Sequence, residues 1–216
     1  MKMTKIDWCD STLNPVVGCK NGCAYCYARK LNNRFGFIPN WEEPQFFPER
    51  LEQLKSKKGK SIFMDSMSDI GWWKEEWKEK VFEAIRNNKQ HTYIFLTKSE
   101  EIKRPYWLSE LYGNRVYFGK TITKGTYYAG YNDSFVDFLS IEPLLGEVNF
   151  NMFGGVRQVI IGAETGNRKG KVIPKKEWVD NIVKQCDEHN VRVFMKESLR
   201  KIMGDDFRQD TLIWRK

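Results

Sequence analysis

The sequence predicts an α/β fold on parallel strands, a partial (β/α) barrel of about six or seven units. Three observations predict it. Short β-branched or aromatic runs alternate with amphipathic helical stretches. Nearly every run ends in polar or charged residues, the pattern by which β/α barrels gather function at the C-terminal ends of their strands. The 216 residues fall short of the ~250 of a full eight-fold barrel, so one open-barrel domain over 1–216 is expected.

The elements follow in order. A first strand is expected near Leu13 to Val17, leading into a cysteine-rich loop. A helix from about Ala24 to Phe35 carries Ala24, Tyr27, Ala28, Leu31 and Phe35 at helical spacing. Residues 36 to 60 read as a connection broken by Pro39, Pro44 and Pro48, with a short helix opening at Pro48. Within it, Lys55, Lys57, Lys58 and Lys60 form a basic turn, solvated or touching an anion. Ser61 to Met64 is a strand ending in Asp65-Ser66-Met67-Ser68-Asp69. A helix with Trp73, Trp77, Val81, Ala84 and Ile85 on its core side follows. Further strands are Thr92 to Leu96, Arg115 to Phe118, Phe138 to Ile141, Gln158 to Ile161 and Val191 to Met195. A helix from Pro174 places Trp178, Val179, Ile182, Val183 and Cys186 on one face, and Asn190 ends it. Gly113-Asn114 and Gly154-Gly155 read as simple turns. The strand ends then ring one mouth with the cysteine loop, Asp65 to Asp69, Lys98, Lys120, Glu142, Glu164 and Lys196.

Composition narrows the function classes. With 41% hydrophobic and 14% aromatic residues, the chain can bury a substantial core, which excludes a disordered or collagen-like polymer. No apolar run reaches the roughly 18 residues of a membrane span. The N-terminal run Met1 to Trp8 has no apolar signal region. A cytoplasmic protein without membrane contact is expected. The net charge of +8 favours an anionic partner such as a nucleic acid or nucleotide, although a merely solvated basic surface has the same sum.

Five cysteines, an odd number, argue against a disulfide framework. Three of them, Cys19, Cys23 and Cys26, stand in the spacing C-x-x-x-C-x-x-C. A structural zinc site wants four ligands, usually as two separated pairs, and His91 and His189 lack ligand spacing. A [4Fe–4S] cluster usually has four cysteine ligands. Three would leave one iron open to a small molecule. Cluster and zinc both remain open on spacing alone. Cys9 reads as a packed residue or a spare ligand, and Cys186 as core.

This motif, with Tyr25 at its aromatic position, resembles that of the radical S-adenosylmethionine (SAM) superfamily. More closely, the chain is similar to a phage-encoded family of radical-SAM-like proteins of unknown function. The segments that carry this likeness are Trp8 to Pro15, Asp65 to Asp69, Phe95 to Lys98, Leu139 to Gly146, Ile161 to Gly166 and Val193 to Lys196. The resemblance implies a radical SAM core, a [4Fe–4S] cluster on Cys19, Cys23 and Cys26, and S-adenosyl-L-methionine as cofactor. Reductive cleavage of SAM would then abstract a hydrogen atom from a substrate. It also implies an electron donor such as flavodoxin or ferredoxin. Where the superfamily has a Gly-Gly-Glu-like motif, this chain has Asp65-Ser66-Met67-Ser68-Asp69.

The expected cofactor contacts are therefore Tyr25 near the adenine, Ser66, Met67 and Asp69 near the methionyl group, Gly162 on the adenine-side strand, and Lys98 and Lys120. Glu142, Lys196 and Glu164 are the candidates for the substrate side, with ordinary salt bridging as their bland alternative. Nucleic acid or nucleotide modification or repair is the expected substrate class. Two competing readings are a non-catalytic, metal-stapled nucleic-acid-binding protein and a degenerate radical SAM fold used as a scaffold.

Overall fold

A computed structural model describes residues 4, 6–99, 115–128, 135–152 and 154–215. The turn expected at Gly113-Asn114, and Met1 to Met3 and Lys5 of the N-terminal run, lie outside them. The chain forms two compact units, Met1–Tyr117 and Phe118–Lys216.

The first unit runs β1 (Ser11–Thr12), β2 (Val16–Val17), α1 (Tyr27–Phe35), β3 (Gln45–Phe46), a 3-10 helix (Pro48–Lys55), β4 (Ser61–Phe63), a short 3-10 turn (Ile70–Trp72), α2 (Glu75–Arg86) and β5 (Thr92–Thr97). Of the single strand expected over Leu13 to Val17 only Val16–Val17 is a strand, β2; β1 lies ahead of that span, with a break between the two. β1 pairs in parallel with β4, whereas β2 pairs antiparallel with β3. Pro15 stands at the break, where it offers no ladder N–H. Strands β1, β4 and β5 are parallel neighbours. The Asp10 carboxylate locks the edge by accepting from both the N–H and the hydroxyl of Ser61, each at 2.7 Å.

α1 departs from expectation. It starts at Tyr27 rather than Ala24, and it buries Ala28 and Asn32. Tyr27, Leu31 and Phe35, which read as its core stripe, are exposed. Ala28 permits close packing, and the Asn32 amide closes the turn behind the helix by bonding the N–H and C=O of Ile38, both at 3.0 Å. Gly36 ends the helix at φ +63°, in the left-handed region that favours glycine. In α2, Glu75 and Glu76 stand at the positive end and Arg86 at the negative end. Val81, Phe82 and Ile85 are its buried residues. Trp73 lies just before α2, buried edge-on to Phe95, and Trp77 stacks half-buried on Phe46.

The second unit contains most of β6 (Arg115–Thr121), then β7 (Gly125–Tyr128), β8 (Phe138–Ile141), β9 (Val148–Met152), β10 (Gln158–Ile161), α3 (Lys176–Glu188), β11 (Arg192–Met195) and the short α4 (Arg200–Met203). β6, β8, β10 and β11 are successive parallel neighbours. Gly119 is required because a Cβ there would meet the Phe138 ring at 2.4 Å. α3 begins at Lys176, two residues after Pro174. It buries Val179, Ile182 and Cys186, with Trp178 and Val183 half-buried. β7 and β9 form a separate parallel pair that the sequence reading did not foresee. Gln185 of α3 holds β9 by accepting from Phe150 N–H and donating to Val148 C=O.

Seven strands therefore run in parallel ladders, three named in the first unit and four in the second. The mixed α/β class with parallel strands stands, and it is the strand arrangement of a partial β/α barrel. Among the described residues, no helix is long and apolar enough to cross a membrane.

Candidate cofactor site

The three clustered cysteines occupy the loop between β2 and α1. Both ends of that loop are fixed. Gly18 donates to Met67 C=O at 3.0 Å, and Cys19 N–H donates to Trp41 C=O at 2.9 Å. At φ +112°, a Cβ on Gly18 would come within 2.8 Å of the Pro44 backbone, so only glycine fits. At the far end Cys26 caps α1, its Sγ accepting from Arg29 N–H at 3.3 Å. That places the sulfur at the positive end of the helix. The Arg29 guanidinium also reaches back to Cys23 C=O at 3.0 Å.

Between the ends, Asn21 is the hub. Its backbone N–H donates to Cys19 Sγ at 3.5 Å, and its C=O accepts from the Cys23 thiol at 3.9 Å. Its side-chain amide donates to Asp69 at 2.7 Å and accepts from the Trp72 indole N–H at 2.6 Å. Asp69 in turn accepts from Thr97 Oγ1 at 2.6 Å, Gly71 N–H at 2.9 Å and Lys98 N–H at 2.9 Å. A buried carboxylate with four donors is fully engaged. Asp65 is buried beside it, and Leu96 N–H reaches both of its oxygens. Burial, reinforced by the Asp69 charge, pushes the Asp65 acid well above the usual carboxylate range.

Asn14 secures the loop after β4, accepting from Ser66 Oγ at 3.0 Å and Met67 N–H at 2.8 Å. The Ser66 carbonyl accepts from the Tyr27 hydroxyl at 2.7 Å. Of the expected cofactor contacts, the first unit thus brings Ser66, Met67 and Asp69 together beside the cysteine loop. Tyr25 lies half-buried within that loop, and Lys98 follows β5, also half-buried.

The second unit brings Glu142, Gly162 and Lys196 together at the ends of β8, β10 and β11. Lys196 Nζ donates to Glu142 Oε1, and the two side chains are 14% and 26% exposed. The pair lies over Gly162, where a Cβ would meet Lys196 Cδ at 3.1 Å and Glu142 Cγ at 3.3 Å. Glu164 is buried and takes a two-pronged bond from Arg168, at 2.6 and 2.8 Å. Arg168 also donates to Gly170 C=O at 3.0 Å. Lys120 is half-buried on β6, in register with Leu139.

A family model described as "Protein of unknown function (DUF5131)" matches residues 3–203. The chain belongs to the DUF5131 family. No curated protein and no solved structure matches it. The DUF5131 match spans every residue of both strand-end groups, from Asn14 to Lys196.

Cys19, Cys23 and Cys26 are all free and half-buried. Burial pushes the Cys19 thiol up to about 12, and the Asp69, Cys26 and Cys23 charges add to it against the Asn21 N–H bond. Such a sulfur holds its proton in neutral water and yields it to a bound cation. Among the described residues, no three His, Cys, Asp or Glu side chains gather to hold one metal ion. A cubane, unlike a single ion, would take one thiolate per iron. Cys9 and Cys186 are buried. His91 is buried between Lys60 N–H and Leu54 C=O, and His189 is exposed on Gln185 C=O.

Sequence reasoning missed Asn14, Asn21, Trp72 and Arg168. An asparagine in a Gly-rich loop reads as a turn residue. Only its contacts distinguish a hub from a bend.

Proposed function

We propose that this DUF5131 protein is a radical SAM enzyme whose open [4Fe–4S] cluster is held by Cys19, Cys23 and Cys26. The observation that carries the reading is the cysteine loop itself. Three half-buried sulfurs sit on one loop, two of them take backbone N–H bonds, and Asn21 ties the loop to Asp69. Backbone N–H bonds to cluster sulfurs are among the levers that set a cluster's potential. A [4Fe–4S] cluster held by Cys19, Cys23 and Cys26 would supply, together with SAM, one-electron reductive chemistry able to activate a substrate carbon–hydrogen bond.

The protein's part is position and exclusion of water. Cys26 presents its sulfur at the N-terminus of α1. Asn21 and Asp69 hold the loop in register with the segment after β4, acting as positioning residues. Tyr25, Ser66, Met67 and Lys98 are the cofactor-side groups of the first unit. Of the residues read as cofactor contacts, Gly162 and Lys120 belong to the second unit, where the Glu142–Lys196 pair lies over Gly162. There Glu142 and Lys196 offer a matched acceptor and donor to a polar substrate, with Glu164 oriented by Arg168.

The test is anaerobic reconstitution with iron and sulfide, followed by SAM and a strong reductant. The reading predicts a brown protein that forms 5′-deoxyadenosine. A colourless protein with tightly bound zinc and no 5′-deoxyadenosine contradicts it.

A further inference from the structure

Helix α1 turns its apolar stripe outward. Tyr27, Leu31 and Phe35 recur every fourth residue, and Phe37 follows; Tyr27 and Phe35 are more than half exposed, at 51% and 57%. Single exposed apolar residues need no explanation, but a contiguous group marks an interaction surface. In the first unit, the one other large hydrophobic exposed among the described residues is Trp72. Its indole N–H is the one bonded to Asn21 in the cysteine loop.

Cations are set among these rings. Lys20 Nζ lies 5.7 Å from the centre of the Trp72 ring, and the Arg34 guanidinium 5.1 Å from that of Phe35. The Phe35 and Phe37 rings are 5.9 Å apart and inclined at 40°. Lys30 is exposed on the same helix. From Ser11 through Trp41 the chain has no aspartate or glutamate, and its charges are Lys20, Arg29, Lys30 and Arg34. That segment is of one sign, with flat rings embedded in it.

We propose that this face binds single-stranded nucleic acid, with bases stacking on Trp72, Phe35 and Phe37 and phosphates pairing with Lys20, Lys30 and Arg34. Alternating rings and cations match a strand that alternates π-faces and negative charge. The centre of a protein–protein interface is instead depleted of charge. Stacked duplex bases hide the faces these rings would use, so a single strand is the ligand. The inference rests on this surface and does not require the cluster.

The experiment is fluorescence anisotropy of the purified full chain with a labelled oligothymidylate of about 12 nucleotides, compared with a duplex of equal length. The strand binds at low salt and the duplex binds more weakly. The double variant Phe35→Ala/Phe37→Ala loses at least about 10-fold in affinity while melting at the wild-type temperature, and Phe35→Tyr/Phe37→Tyr restores binding. Lys30→Ala lowers the salt slope by about 0.7. Absence of strand binding at low salt, equal duplex binding, or undiminished binding by the ring-deleted variant overturns the proposal. So does equal competition by polyglutamate, which would make the face a dock for an acidic protein. None of these failures bears on iron content or SAM cleavage, so the cluster reading is judged separately.

Discussion

The two units end their strands with different chemistry. In the first, the groups after β4 and β5 form a network around Asp69, whose four donors all come from the protein. In the second, the groups after β8, β10 and β11 are opposite charges in direct pairs, Glu142 with Lys196 and Glu164 with Arg168. The first arrangement spends its polar atoms on holding a loop. The second holds charged groups beside a glycine. On the proposed reading, position is the work of the first, and polar recognition that of the second.

The comparison can be broken most sharply at the cysteines. Cys19→Ala, Cys23→Ala or Cys26→Ala each strips most of the iron from reconstituted protein, whereas Cys186→Ala keeps it. Iron analysis after gel filtration reads the outcome. Equal loss from Cys186→Ala would dissolve the distinction between loop and core.

The network comes next. Asp69→Ala leaves four donors without their acceptor and costs about 3–5 kcal/mol, read by urea denaturation of the iron-free chain. Asn21→Ala costs about 1–2 kcal/mol, and it lowers iron retention more than its stability loss alone explains. A loss at Asp69 no larger than at an exposed residue would show that the network holds nothing.

In the second unit the effects are smaller, because Glu142 and Lys196 keep some contact with solvent. A double-mutant cycle of Glu142→Gln and Lys196→Met gives a coupling of about 0.5–2 kcal/mol. Neither variant changes the iron content, and both lose substrate turnover while slow SAM cleavage persists. Loss of iron with either variant would contradict the division of labour.

The smallest effect is a pH dependence at Asp65. Its folded acid is raised by burial and the Asp69 charge, so the native state binds the proton more tightly than the unfolded chain. Stability contributed at this residue is present below the ordinary carboxylate range and is lost as pH rises toward the raised value. Asp65→Asn therefore gains on the wild type between pH 4 and pH 7, as urea midpoints at the two values will show. A constant difference would refute the raised acid.

The sequence made the second unit more legible than the first. Phe138–Ile141 and Gln158–Ile161 are buried on both faces and bounded by polar residues, so each reads as a short, mostly apolar run. Glu142 and Lys196 were readable as strand-end groups for the same reason. Around Pro15 the apolar run misled, because only Val16–Val17 of it forms a strand, while the strand beside β4 is the polar Ser11–Thr12 just ahead of it. α1 misled because its buried face is Ala28 and Asn32, which have no apolar period, while Tyr27, Leu31 and Phe35 carry that period to solvent. β7 and β9 were missed because their residues are mostly polar or exposed. Asn21 was invisible because a hub is defined by its partners, which lie up to 51 positions away.

The central claim is that three thiolates leave one iron open to SAM. The direct measurement is the electron paramagnetic resonance spectrum of the reduced, reconstituted protein before and after addition of SAM. The account predicts a reduced cluster signal whose g-values shift when SAM is added, and a loss of that signal in Cys23→Ala. A signal unmoved by SAM, or no cluster signal from a protein that instead retains zinc, would contradict it.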